Sequence, residues 1–334
     1  MCWVADAMAH GPEPSPFDGV EISASMRAMP KAELHLHAEA APRLERILAR
    51  ERGTPSYDWK RWAINLMVEV PPGMPRLESI AKMPIPQQEE DPEYFGKRIQ
   101  DALAEGAKAG AIYIELRFGR DTVLRPEFIS AFCTAESEVQ SEFLCFIAEP
   151  LVCVIFGPDT ALNEKRVQAC VDTARDGLRG VDIIPQPYSE EADWSPMCQA
   201  SERLAAVGLG ITAHAAEFST ANLKAALRVP GLTRIGHGIH AIATDELSSQ
   251  LLASGAALEC SLTSNVILGV IDSYAEHPIR AVIDAGIPVT INTDDPMHFS
   301  TPIEREYAIA SQVGFSDLEL IDMTRNAIEF SFTT

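Results

Sequence analysis

The feature that most constrains the fold is a regular alternation of short apolar runs with longer alanine-rich stretches of helical spacing. The runs are AELHLHA (32–38), AIYIELRF (111–118), PLVCVIFG (150–157), GVDIIP (180–185), GITAHAA (210–216), TRIGHGI (233–239), AALECSL (256–262) and PVTINTD (288–294). Alternating strands and helices predict a parallel sheet, and eight such units predict a closed (β/α)8 barrel of the TIM type. A doubly wound open sheet is the alternative.

Six helices are predicted between these runs, and several end in glycine just before the next run, as a helix C-cap does. They span residues 92–110, 163–177, 195–208, 220–229, 244–255 and 277–286. The predicted barrel is therefore one α/β domain.

Domain boundaries follow from composition. Residues 1–28 contain GPEPSPFDG and are expected to form a flexible N-terminal lead, with a single barrel domain over 29–334. Residues 59–92 are predicted to be a lid-like insertion between the first two strands. Its proline-rich part, 71–92, fits either a lid over the barrel mouth or an uninvolved surface loop.

The charge balance limits the partners. With 48 acidic and 27 basic residues the formal charge is -21, which disfavours nucleic acid and anionic membrane surfaces. No apolar run is long enough to cross a membrane, and MCWVADAMAH does not resemble a secretory signal, so a cytoplasmic protein is expected. The seven cysteines form no CxxC pair, so nitrogen and oxygen atoms would hold any metal.

Two histidines one residue apart, His35 and His37 in KAELHLHAEA, give the first indication of a site. Residues two apart on a strand point to the same face. The pair fits either a metal site or ordinary hydrogen-bonded core residues.

Further polar residues follow other strands at the same position. These are His214, Glu217, His237, Asp294 and Asp295, all at the C-terminal ends of predicted strands, where barrel active sites gather. Three imidazoles and a carboxylate, from His35, His37, His214 and Asp294, suit a catalytic zinc ion that lowers the pKa of a bound water. His237 is then left to orient or deprotonate the water, and Glu217 to handle a proton on the substrate.

These motifs make the chain resemble the adenosine deaminase family of the amidohydrolase superfamily. The matching blocks are MPKAELHLHAEA, YIELRF, GLGITAHAAE, RIGHGIHAI, SLTSNVILG, HPIRAVIDAGIPVTINTDDPMHF and EREYAIA. The resemblance implies a metal-dependent hydrolase that acts on C–N bonds of cyclic amidines.

The resemblance also implies roles for particular residues. It assigns one zinc ion per chain to His35, His37, His214 and Asp294, with Asp294 also part of the catalytic apparatus. It assigns Glu217 to protonation of the purine ring, His237 to activation of the water, and Asp295 to the nitrogen on the imidazole side of the purine.

Four residues depart from the family pattern at positions that affect substrate recognition, and one of them is Ala40, where glycine is common. HAAE places Ala216 where the family has glycine, HLHAEA places Glu39 where adenosine deaminases carry aspartate, and GVDIIPQP places Pro185 where a glycine N–H meets the purine. Proline has no N–H to donate.

The expected function is thus zinc-dependent hydrolytic deamination of a 6-aminopurine, namely adenosine, adenine or a close analogue. A deaminase of another amino-heterocycle, such as a modified purine or a pterin, is the alternative. A non-catalytic barrel that binds a small molecule is a third hypothesis. The sequence leaves the oligomeric state unknown.

Overall fold

Eight parallel strands pair in chain order, each with the next, in a computed structural model that describes residues 16–39, 43–83 and 91–333. The strands are β1 (Lys31–His37), β2 (Ala111–Phe118), β3 (Ile147–Val154), β4 (Gly180–Ile183), β5 (Gly210–Ala215), β6 (Leu232–His237), β7 (Ala257–Cys260) and β8 (Val289–Ile291). A parallel bridge between Leu36 and Asp294 joins the first strand to the end of the last. The sheet is therefore a nearly closed barrel, and the predicted TIM-type fold is confirmed.

Helices cover the outside of the barrel, and each of the six predicted helices is present. The helices are α1 (Ala24–Ala28), α2 (Arg43–Arg52), α3 (Trp59–Glu69), α4 (Met74–Ala81), α5 (Pro92–Lys108), α6 (Phe128–Glu142), α7 (Thr160–Ala174), α8 (Ser195–Ala206), α9 (Leu223–Ala226), α10 (Asp245–Ser254), α11 (Leu262–Ile267), α12 (Ile279–Asp284), α13 (Ile303–Gln312) and α14 (Asp317–Glu329). None of these described helices is long and apolar enough to cross a membrane.

The predicted N-terminal lead is only partly described. Residues 1–15 lie outside the described ranges, whereas residues 16–28 lie against the barrel domain. The carbonyl of Pro16 accepts hydrogen bonds from Tyr274 and Arg305, and Met26 of α1 is buried. The boundary between lead and barrel at residue 28 stays a prediction.

The N-terminal end of the barrel is filled by the aromatic ring of Phe332. The Arg234 guanidinium lies 3.6 Å from the centre of this ring, and the Phe332 N–H donates to Glu115. Gly180 and Gly210 begin β4 and β5 beneath the ring, where an added Cβ would lie 2.4 and 2.1 Å from ring carbons. Glycine is required at these two positions because the ring approaches the backbone so closely.

Candidate metal centre and active site

Five polar side chains converge where the barrel opens at the C-terminal ends of its strands. His35 Nε2 lies 3.2 Å from His37 Nε2, and Asp294 Oδ1 lies 3.5 and 3.4 Å from these two nitrogens. Two groups of three, His35–His37–His214 and His35–His237–Asp294, each bring their ligand atoms within 4.8 Å of one another. All four predicted metal ligands are therefore brought together.

The donor set fits a divalent metal. Imidazole nitrogens so close to one another cannot all carry protons without repulsion between the rings. A cation bound among unprotonated nitrogens and one carboxylate oxygen satisfies every one of these atoms.

Backbone strain is concentrated at the same place. Ala216, His237 and Asp294 have φ angles of 57°, 64° and 64°, and they follow or end β5, β6 and β8. For residues other than glycine this left-handed region costs about 1–3 kcal/mol each when the surrounding structure enforces it. These residues lie at or just after the ends of β5, β6 and β8, three strands that are shorter than the predicted runs 210–216, 233–239 and 288–294.

Buried carboxylates orient two of the imidazoles through their Nδ1 atoms. Glu259 Oε2 lies 2.9 Å from His35 Nδ1, and Asp182 Oδ1 lies 2.9 Å from His214 Nδ1. Arg117 bridges both carboxylates at 2.5 and 2.9 Å. Since each Nδ1 faces a carboxylate, each Nε2 is left to face the centre of the site.

Sequence reasoning missed Arg117, Asp182 and Glu259. The signal that could have revealed them is a charged residue within an otherwise apolar strand, in YIELRF, GVDII and AALECSL. Such a residue must find a partner inside the barrel.

Ser264 and Asn265 of α11 position Asp294 and His237. The sequence analysis did not identify these two residues of α11. Ser264 Oγ donates to Asp294 Oδ2 at 2.7 Å. Asn265 Nδ2 lies 3.5 Å from His237 Nδ1, while His277 Nε2 lies 3.2 Å from Asn265 Oδ1. This helix therefore helps to fix the orientation of a predicted ligand and of the predicted water-activating histidine.

Glu217 is a buried carboxyl whose environment favours its neutral form. Burial, helped by the charge of Asp294, raises the pKa of Glu217 to about 8, against a lowering by the hydrogen bond from Tyr188. Tyr188 OH donates to Oε2 at 2.6 Å. Oε1 has no hydrogen-bond partner among the described residues and lies 3.6 Å from His237 Nδ1. One carboxyl oxygen is thus free for a ligand.

A cavity of about 610 Å³ lies over this cluster. Seven predicted site residues line it: His37, Glu39, His214, Glu217, His237, Asp294 and Asp295. Neither Pro185 nor Ala216 is among the described lining residues, although both are buried and their neighbours Ile184, Gln186 and Glu217 do line the cavity.

Glu39 is held at the edge of the cavity by the backbone just after β2. Gly119 N–H donates to Glu39 Oε2 at 2.6 Å, and burial raises the pKa of this carboxyl. The carboxyl is therefore fixed in place where it can contact a ligand.

The predicted lid supplies one wall of the cavity. Five residues of α4 line it: Met74, Leu77, Glu78, Ile80 and Ala81. Behind them, Ala63 and Leu66 of α3 pack in one apolar cluster with Ile80 and Phe299. Residues 84–90 of the predicted lid lie outside the described residues, and closure of this segment stays a prediction.

Comparisons with known proteins agree with this geometry. The family model described as adenosine deaminase matches residues 88–334. An adenine deaminase from Rhizobium rhizogenes is 32% identical over 321 residues, which cover 90% of this chain and 94% of the relative. The match therefore extends over nearly the whole of both chains.

Two solved structures have the same fold. The N6-mAMP deaminase of Arabidopsis superposes with a TM-score of 0.73 at 22% identity, covering 93% of this chain and 96% of its own. An amidohydrolase from Burkholderia ambifaria, solved with bound zinc, gives a TM-score of 0.73 at 22% identity, covering 96% and 92%.

Proposed function

The chain belongs to the adenosine deaminase family, and on this premise we propose that it catalyses zinc-dependent hydrolytic deamination of a 6-aminopurine. In this reaction water adds to the ring carbon that bears the amino group, and ammonia leaves. The buried carboxyl of Glu217 beside the metal-ligand cluster, whose Oε1 has no hydrogen-bond partner among the described residues, is the observation that carries the proposal.

Four residues would hold the zinc ion, namely His35, His37, His214 and Asp294. A zinc ion held there would lower the pKa of a water molecule to about 7 and would so supply a nucleophile at neutral pH. Three nitrogens and one carboxylate oxygen are typical zinc donors, and the zinc found in the Burkholderia relative supports this metal.

Glu217 would donate the proton that the ring needs. An aromatic ring resists nucleophilic attack unless the adjacent nitrogen is protonated, because the intermediate otherwise carries unstabilised negative charge. A carboxyl with a pKa of about 8 holds its proton at neutral pH, and Oε1 is available to deliver it.

His237 would accept a proton from the attacking water. Burial holds the pKa of His237 well below its usual range, so its imidazole is neutral and can act as a base. Asp295 lines the same cavity and would hold the imidazole-side nitrogen of the purine. The proton taken by His237 leaves with ammonia, and the second proton of the water, lost when the C–OH group becomes a carbonyl, would return to Glu217, so the protons balance.

The test is ammonia release by protein loaded with one zinc ion per chain, with adenine and adenosine as substrates. We expect Glu217→Gln to lower kcat by about 100-fold or more, since general acid catalysis contributes about 10²–10⁴-fold. Glu191→Gln is the matched control, because Glu191 is exposed and not among the lining residues. No ammonia from any 6-aminopurine at full zinc occupancy would contradict the proposal.

A further inference from the structure

We propose that His298 is a positioning residue of the active site, which holds the Asp295 carboxyl in place for the imidazole-side nitrogen of the bound ring. This inference deepens the proposed function and rests on it, because the ligand of Asp295 is the purine of that reaction. It gives a role to a buried histidine that is neither a metal ligand nor a described lining residue of the cavity.

His298 is a buried imidazole whose polar atoms are unpaired. The residue is 1% exposed, and neither Nδ1 nor Nε2 forms a hydrogen bond with any described residue. A buried polar group without a partner lowers stability, so each such group in a folded protein requires an explanation. Stability of the fold therefore does not account for a histidine at this position.

The carboxyl of Asp295 is the group that Nδ1 faces. Nδ1 of His298 lies 3.7 Å from Asp295 Oδ2, and the two atoms need to approach by roughly 1 Å to form a hydrogen bond. Among the described residues, no other side chain or N–H group pairs with this carboxyl. Hydrogen bonds of catalytic sites are often long without a ligand and tighten when the ligand binds. The distance thus fits a contact that forms fully in the complex.

The turn after β8 places the two side chains together. Phe299 N–H donates to Asp295 O at 3.0 Å, and Thr301 N–H donates to Pro296 O at 2.9 Å. His298 follows Asp295 by three residues, a spacing that brings side chains to the same side of a helical turn. Asp295 and Phe299 line the cavity, whereas His298 is not among the described lining residues. His298 would therefore act on a ligand only through Asp295.

Two tryptophans of α3 hold the imidazole ring. The ring centres of Trp59 and Trp62 lie 5.4 and 5.5 Å from that of His298. Contacts between aromatic rings at such distances are stabilising, and they use the ring of His298 while its nitrogens stay unpaired. A phenyl ring would pack here equally well. Packing therefore explains an aromatic ring at residue 298, and the carboxyl of Asp295 explains why that ring carries nitrogens.

A proton on Nδ1 would fix the carboxyl. A neutral imidazole carries one N–H, and a carboxylate next to one nitrogen favours the proton on that nitrogen. Nδ1–H would donate to Asp295 Oδ2, which leaves Oδ1 to meet the ring nitrogen. A carboxyl that is already held loses less freedom when the ligand binds, so the ligand binds more tightly. We therefore expect His298 to raise the affinity only for ligands that carry this nitrogen.

Two substitutions separate hydrogen bonding from packing. His298→Phe keeps an aromatic ring beside the tryptophans and removes both nitrogens, whereas His298→Asn keeps a donor near the position of Nδ1 and loses most of the ring. Calorimetry on zinc-loaded protein measures their affinity for hypoxanthine and inosine, the products that adenine and adenosine would give.

The order of the two variants decides the inference. We expect His298→Phe to weaken the tighter-binding product about 10-fold or more, as loss of a hydrogen bond to a charged group does, and His298→Asn to weaken it about threefold or less. Tighter binding by His298→Phe than by His298→Asn is the result of a purely structural role. That order, or equal affinities of the wild type and His298→Phe, would overturn the inference.

Ligands without the imidazole-side nitrogen make the test specific. In 7-deazahypoxanthine and 7-deazainosine a C–H group replaces this nitrogen, so the Asp295 carboxyl has no ring nitrogen to hold. We expect His298→Phe to change their affinity by about twofold or less, since the interaction that it supports is absent. An equal loss for the parent and the 7-deaza ligands would overturn the inference. If His298→Asn does not fold, this comparison decides alone, and if neither 7-deaza ligand binds the wild type, the order of the two variants decides.

Met297→Leu is the matched packing control. Met297 belongs to the same apolar cluster as Trp59 and Trp62 and is not among the described lining residues of the cavity. Its substitution by leucine nearly conserves the volume and removes no hydrogen-bonding nitrogen. We expect product affinity to stay within about twofold of the wild type, and a loss equal to that of His298→Phe would overturn the inference.

Failure of the inference and failure of the proposed function give different results. Ammonia release by the wild type tests the function, and ammonia release with unchanged product affinity in His298→Phe overturns the inference alone. The expected affinity pattern without ammonia release overturns the proposed function and leaves His298 and Asp295 in a purine-binding site. No binding of hypoxanthine or inosine by the wild type overturns the inference, because Asp295 then holds no ring nitrogen.

Discussion

Tyr188 OH donates a 2.6 Å hydrogen bond to Oε2 of Glu217, while Oε1 of the same carboxyl has no partner among the described residues. The phenol occupies one oxygen, so the proton of the neutral carboxyl is directed to the other. Tyr188 is thus a positioning residue, because it acts through Glu217.

The first prediction concerns this hydrogen bond. Tyr188→Phe should lower kcat about 2- to 10-fold, since one hydrogen bond contributes about 0.5–1.5 kcal/mol. The bond from Tyr188 lowers the pKa of Glu217, so its loss should move the alkaline limb of the pH profile to higher pH. Steady-state kinetics across pH measure both effects.

A buried phenol elsewhere provides the control. Tyr307 OH bonds to Thr324 between α13 and α14 and is not among the lining residues. Tyr307→Phe should leave the pH profile in place, whatever it does to stability. An unshifted profile in Tyr188→Phe would argue that Tyr188 only supports the fold.

The second prediction is the pH dependence of the wild type. A carboxyl is protonated below its pKa, so the donor form of Glu217 is present below about pH 8 and declines tenfold per pH unit above it. With adenosine or adenine as substrate, log kcat/KM should therefore fall with slope -1 above about pH 8. A profile that stays flat to pH 9.5, or a limb that persists in the residual activity of Glu217→Gln, would contradict the assignment.

The third prediction concerns metal affinity. Ser264→Ala removes the 2.7 Å hydrogen bond to Asp294 Oδ2 and should weaken zinc binding about 10-fold, within the range seen when a partner of a metal ligand is lost. Competition with a chromophoric chelator measures this without an activity assay. Ser261→Ala is the control, because the buried Ser261 hydroxyl has no hydrogen-bond partner among the described residues. Equal zinc affinity of the two variants would sink the prediction.

The fourth prediction concerns the N-terminal end of the barrel. An added Cβ at Gly210 would lie 2.1 Å from the Phe332 ring, so Gly210→Ala should destabilise the fold by about 1–3 kcal/mol, as overpacking does. Urea unfolding measures the loss, and Gly157→Ala, with no heavy atom within 4 Å of its added Cβ, is the control.

A double variant identifies the cause. In a Phe332→Ala background, Gly210→Ala should lower the free energy of unfolding by less, because the ring that the added Cβ would overlap is absent. Substitutions at residues in contact are non-additive for this reason. An unchanged loss of unfolding free energy would mean that glycine is required by the backbone of β5 and not by contact with the Phe332 ring.

The strands could be predicted because each is a short apolar run, and β2 has the predicted bounds of 111–118. The helix α6 received no prediction although it spans 15 residues. Its sequence FISAFCTAESEVQSE contains aromatic, β-branched and serine residues of modest helix propensity. Its buried residues Phe128, Phe132, Ala135 and Val139 have helical spacing, so packing against the barrel selects the helix.

The metal-ligand cluster was predictable because strand ends in a barrel share one rim. The residues that orient it were not, since partners such as Arg117 and Glu259 are 142 residues apart in sequence. Tyr188 lies in an irregular loop after β4, where no periodic pattern indicates which way a side chain points. Pro185 and Ala216 were identified by their departure from a family motif, which does not say whether a side chain reaches the cavity.

The left-handed backbone at His237 and Asp294 has a consequence for evolution. Glycine adopts this conformation freely, and it would also relieve the crowding of polar atoms in a metal-free barrel. Selection for heat resistance alone, under metal starvation, should therefore enrich glycine at these two positions. A lineage that keeps His237 and Asp294 under these conditions would be one in which turnover is still under selection.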